Sequence, residues 1–119
     1  MTPEAFRKLA LRLADAEERS HMGHPDFRVA GRIFATLGYP GAGWAMVKLR
    51  PEDQVAFVQL KPEAFVPVKG KWGEQGCTNI VLRHAPMSAV RAALHAAHEH
   101  QAVGAPRARR VRRARGRAT

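Results

Sequence analysis

Phe6, Leu9, Ala10 and Leu13 recur at three- and four-residue spacing, with Arg7, Lys8, Arg12 and Asp15 opposite them. That period predicts an amphipathic helix over residues 3–15. Thr2-Pro3-Glu4 is suited to start it: a hydroxyl accepts orphan amide protons, proline is preset for the first turn, and an acid complements the helix dipole. From Glu17 to Arg50 the period changes to two. Phe27 and Val29 alternate with Asp26 and Arg28, and Ile33, Ala35 and Leu37 alternate with Arg32, Phe34 and Thr36, as in strands buried mainly on one face. Ala30-Gly31 predicts a tight turn between them, and the connector Gly38 to Gly43 leads into a further strand, Trp44 to Leu49. The result is an antiparallel meander.

Pro51-Glu52-Asp53 opens a second helix in which Val55, Ala56 and Leu60 form the apolar side, and Pro62 stops it. Residues 62–76, punctuated by Pro67, Gly70, Gly73 and Gly76, read as irregular. Cys77 to Leu82 alternates again as a last strand. Val90, Ala93, Leu94 and Ala97 then form the stripe of a closing helix over residues 86–101, with Gly104 and Pro106 ending it. The order α-β-β-β-α-β-α predicts an α+β fold, an antiparallel sheet covered by helices.

Charge changes this picture at one end only. The chain holds 20 Lys+Arg against 10 Asp+Glu in 119 residues, a net charge of +10. Seven of those cations (Arg107, Arg109, Arg110, Arg112, Arg113, Arg115 and Arg117) crowd the C-terminal segment, which contains no acid. The remaining 13 basic residues leave residues 1–106 at only +3. Two parts are expected: a single α+β domain over residues 1–105 and an Arg-rich tail over 106–119 that stays expanded when it has no partner. A polycation of this density has a polyanion as its counterpart, most often nucleic acid. Lipid suits it poorly, since Val111 is the tail's only large apolar side chain and insertion needs an apolar face.

A lone cysteine, Cys77, rules out an internal disulfide and fits a reducing compartment. The start of the chain has no signal-peptide pattern, and no window approaches the roughly 18 apolar residues of a membrane span. The expected location is the cytoplasm.

Candidate chemistry is sparse. His21 and His24 sit in a loop, and His95, His98 and His100 lie on the last helix without sharing one side, so neither group converges as zinc requires. No metal or cofactor is expected. Cys77 lacks the setting of a nucleophile and reads as a small core residue. Gly38 to Gly43 is followed by Trp44 rather than by the Lys-Ser/Thr and helix start of a phosphate loop. No constellation points to an enzyme or to a small-molecule substrate. Lys69-Gly70-Lys71-Trp72-Gly73 is more suggestive: two ammonium groups beside an exposed indole suit phosphate contact and base stacking, against the plainer reading that Trp72 caps the core edge.

The stretch His21-Met-Gly-His24-Pro25-Asp26-Phe27-Arg28-Val29-Ala30-Gly31-Arg32-Ile33-Phe34-Ala35-Thr36-Leu37 resembles the signature of the MmcQ/YjbR family. Trp44 to Leu49 with Pro51-Glu52 is similar to the family's lysine-bearing strand and proline-started helix. Trp72-Gly73, Gly76 to Asn79, Val81-Leu82 and Ala105-Pro106 continue the likeness, which spans residues 4–106. The resemblance implies an α+β fold similar to secretion chaperones, described as a double-wing DNA-binding arrangement. It implies a DNA-binding role without assigning contact residues. The arginine tail is no part of the family pattern.

Together these readings predict a small non-enzymatic protein that binds nucleic acid, DNA first, through phosphate contacts. The tail arginines would supply affinity. Arg28, Arg32 and Lys48 would project from one sheet face, with Lys69, Lys71 and Trp72 at its edge. The competing expectation is a protein-interaction or adaptor module whose tail binds an acidic partner.

Overall fold

In the computed structural model, which describes residues 1–103, the chain forms four helices and six strands. Helix α1 (Pro3–Leu11) is capped as its sequence suggests, the Thr2 hydroxyl accepting from the Ala5 amide at 3.1 Å. It stops sooner than its apolar period does, and Leu13 packs from the following turn as a half-buried residue. Strands β1 (Glu17–His21), β2 (His24–Val29), β3 (Arg32–Leu37) and β4 (Trp44–Lys48) follow. Helix α2 (Pro51–Leu60), the short strand β5 (Phe65–Pro67), the one-turn helix α3 (Lys71–Glu74), strand β6 (Cys77–Val81) and helix α4 (Met87–Val103) complete the fold.

All six strands join one antiparallel sheet in the order β1-β2-β3-β4-β6-β5. Helices α1 and α4 pack on one face. Phe6, Phe27, Phe34, Phe65, Ile80 and Leu94 are its largest aromatic and aliphatic anchors, all essentially without solvent exposure. Cross-strand partners share a face, so the register Phe27–Ala35–Val47–Thr78 traces the covered side and Asp26–Thr36–Met46–Asn79 the other. No helix among the described residues is long and apolar enough to cross a membrane.

Four local features depart from the sequence reading. β1 is an edge strand whose five residues are all exposed. It is tied to β2 through Met22-Gly23, which has positive φ at both positions (52° and 82°), as does Ala30-Gly31 in the next hairpin (56° and 78°), the geometry of tight two-residue hairpin loops. β5 and α3 lie inside the segment read as irregular. A register shift between Phe27 and Arg28 lets Phe34 and Ala35 both enter the core, which moves Ile33 to the other face. In α2, Val55 and Leu60 are exposed, and Gln54 is the residue turned inward.

Gln54 is buried with its amide hydrogen-bonded to that end of the sheet. Its amide nitrogen donates to the carbonyls of Gly73 and Cys77, each at 3.0 Å, and to the Thr78 hydroxyl at 3.1 Å. Each of those carbonyls also accepts a backbone N–H, from Gly76 and Val68 respectively. Gln54→Leu therefore leaves both carbonyls partly satisfied and should cost only about 1 kcal/mol, read from urea unfolding midpoints.

Candidate nucleic-acid interface

The sheet face turned away from α1 and α4 holds a groove of ≈ 560 Å³. Its floor comes from the middle of the sheet, where Ile33, Thr36, Met46 and Asn79 point to that side. His21, Met22 and His24 border it at the β1–β2 end, Tyr39 from the β3–β4 connector, and Lys48, Val68 and Trp72 at the other end. The exposed apolar groups of this rim are large: Met22 is 90% exposed, Tyr39 62% and Trp72 61%.

Trp72 belongs to α3, and Lys48 is the last residue of β4. The register Lys48–Cys77 brings these segments together, so the Lys48 ammonium sits over the indole, 5.5 Å from its centroid. This is a cation–π contact that also holds the ammonium beside the groove. Lys69 and Lys71, both exposed, flank Gly70 just before the indole. At the opposite rim the rings of His24 and Tyr39 meet edge to face at 5.6 Å.

At the β1–β2 end lies a polar network. The Asp26 carboxylate is fully buried and accepts from Arg28 Nε at 2.8 Å, from Arg28 Nη2 at 3.1 Å and from His21 Nδ1 at 2.7 Å. The Arg28 hydrogen bonds hold the Asp26 pKa below its ordinary value; burial opposes them and the His21 contact adds to them. An ionised carboxylate only accepts, so the proton of a neutral His21 resides on Nδ1 and Nε2 is left with a lone pair. No described residue hydrogen-bonds that Nε2. Cys77 also lines the groove, where burial pushes its thiol pKa up and the Lys48 ammonium pulls the other way.

The structure brings Lys48 to Trp72 at one edge of the open face, leaves Lys69 and Lys71 exposed in the chain just before the indole, and separates the two strand arginines. Arg28 lies on that face, but its guanidinium is engaged by Asp26 and is only partly exposed. Arg32 corrects the expectation of a shared face: the two-residue turn pairs it with Val29, a core residue, and its Nε donates to Gln101 of α4 at 3.1 Å. The seven tail arginines, Arg107 to Arg117, lie outside the described residues. His21, His24 and Tyr39 were absent from the sequence-based site. The available signal was Met22-Gly23, which folds His21 and His24 side by side as a register pair.

A second recess of ≈ 210 Å³ lies between α1 and α4, with Arg12, Arg91 and His95 around Leu9, Leu13 and Leu94. Its polar groups do not converge on the buried network of the larger groove.

The fold and the groove define a class: an α+β domain with one helix-covered and one open face on a six-stranded antiparallel sheet. The chain matches the YjbR family model over residues 11–100 and belongs to the YjbR family. No curated protein matches it.

Proposed function

We propose that this YjbR-family protein binds nucleic acid without catalysing a reaction, DNA being the polymer that the family resemblance suggests. The observation that carries the reading is the cluster at the groove edge: an exposed indole with Lys48 against its face and Lys69 and Lys71 beside it. Aromatic faces stack on bases of any sequence, and ammonium groups donate to the phosphates between them. The arginine tail adds long-range attraction and phosphate contacts, since guanidinium donors match phosphate oxygens. Arg28 and Arg32 contribute less than free arginines would, because each has a protein partner.

The test is a salt titration of DNA binding by the full chain and by a chain ending at Pro106. If about five tail arginines contact duplex phosphates, log K falls against log salt with an extra slope of roughly −4 to −5, and truncation removes that slope. A full-length protein that ignores both DNA and RNA in dilute buffer overturns the reading. A nuclease-resistant protein partner in its place would make the chain an adaptor, with the apolar groove as its docking face.

A further inference from the structure

We propose that the groove on the open sheet face is built for an unpaired strand, taking in splayed nucleobases, and not for the grooves of a duplex. The inference rests on the nucleic-acid reading above and adds the form of the polymer to it.

Shape is the first argument. Paired bases expose their edges at the bottom of a groove, where only an element that enters the groove can read them. A recess in a sheet does so only when the duplex is bent and opened onto it, whereas it can directly accommodate bases that have left the stack. At ≈ 560 Å³ the groove is within the range of about 300–1,000 Å³ typical of sites for small organic groups.

Charge is the second. The element best placed to enter a duplex groove is the edge ribbon of β1 and β2, and β1 carries Glu17 and Glu18. Its Arg19 is bridged to Glu17 at 3.5 Å, so this ribbon presents no surplus of positive charge to closely spaced phosphates. The unbridged ammonium group at the recess is instead that of Lys48, which lies over Trp72 at the groove edge.

The third argument is the chemistry of the lining. Tyr39 and Trp72 are exposed aromatic residues at the two ends, and both line the recess. Between them, Thr36 and Asn79 supply hydrogen-bonding groups. His21 also lines the recess, anchored through Nδ1 to a carboxylate without solvent exposure, which on the neutral imidazole leaves Nε2 to accept from a base N–H. In a duplex the Watson–Crick donors are already paired, and the remaining amine N–H groups lie at the bottom of a groove. The same donors on an unpaired base need a partner, and His21 provides one whose tautomer is fixed by Asp26.

The experiment uses the full chain carrying Trp44→Phe. Trp44 is the other of the two tryptophans and does not line the groove, so the remaining indole fluorescence reports on Trp72. A mixed-sequence single-stranded DNA oligonucleotide and the duplex of the same sequence are titrated at one fixed salt concentration. The tail contributes to both, and more to the duplex with its denser phosphates, so a preference for the single strand arises against the tail and belongs to the groove. The single strand should bind at least about 10-fold more tightly and quench Trp72. Trp72→Ala should weaken single-strand binding by about 5- to 150-fold, measured by anisotropy, and leave duplex binding nearly unchanged. Tyr39→Ala, also at an exposed position, should act in the same direction. Duplex binding as tight as single-strand binding, or equal losses on both after either substitution, overturns the inference while leaving nucleic-acid binding intact. Failure of both polymers to bind removes the parent reading and this one with it.

Discussion

Gly76→Ala is expected to destabilise the fold by about 3 kcal/mol or more, seen as a large fall in the urea midpoint and as the loss of Trp72 from its place on Lys48. Gly76 is buried and has φ of +112°, where a side chain is strained whatever the space around it. A Cβ there would run into the Leu49 carbonyl oxygen and come within 2.8 Å of the Leu49 carbonyl carbon. Neither atom can swing aside, because the Leu49 amide donates to the Gly76 carbonyl and the β4–β6 ladder starts at the adjacent pair, Lys48 and Cys77. Gly31→Ala is the informative control. Its φ is +78°, but nothing lies within 4 Å of the added methyl, so strain alone should cost about 1 kcal/mol. Equal losses at the two positions would show that packing against Leu49 contributes nothing.

The same packing explains why the groove edge was only partly legible in the sequence. Lys69, Lys71 and Trp72 are neighbours in the chain, and their chemistry could be read there directly. Lys48 is more than twenty residues away; strand alternation puts it on the face that Trp72 edges, but its contact with the indole also needs the close approach of α3 to the backbone of Val68 and Leu49 that Gly73 and Gly76 allow. A pattern of apolar positions carries no information on such an approach.

Where the period was regular and one side was buried, it found the element: α1, β3, β4, β6 and α4 are all close to their expected positions. It failed at β1, whose Glu-Glu-Arg-Ser-His has no buried side to alternate with, and at β5 and α3, which are too short for a period to emerge. In α2 it assigned the wrong side, because hydropathy cannot anticipate that a glutamine is buried to serve the backbone acceptors of a neighbouring turn. Arg32 was misplaced for a different reason. The two-residue turn at Ala30-Gly31 makes Val29 and Arg32 cross-strand partners, and partners share a face, which strict alternation along each strand does not express. The Asp26–Arg28 pair could have been recognised by the same logic, since residues two apart on a strand lie on one side.

Asp26→Asn should cost about 2 kcal/mol at neutral pH and should flatten the acid limb of the stability curve. The carboxylate serves three donors, two from Arg28 and one from His21. An amide can accept on one side only and turns its own N–H groups towards donors on the other. Removing one member of a buried ion pair commonly costs about 3–5 kcal/mol, and the value here is lower because the side chains of Arg28 and His21 keep 27% and 45% exposure and stay partly hydrated. The sign of the pH effect follows from the depressed pKa. With a folded-state value below the ordinary 3.8, Asp26 contributes stability that is complete above that value and disappears as pH falls through the folded one. The wild-type protein should therefore lose stability more steeply than Asp26→Asn below about pH 4, in urea titrations run at successive pH values. The same substitution releases His21 from its anchor, so single-strand binding should weaken even at neutral pH where the fold remains intact. Parallel pH curves for the two proteins would mean that Arg28 and His21 do not hold the carboxylate in its charged form, and the fixed His21 tautomer would lose its basis.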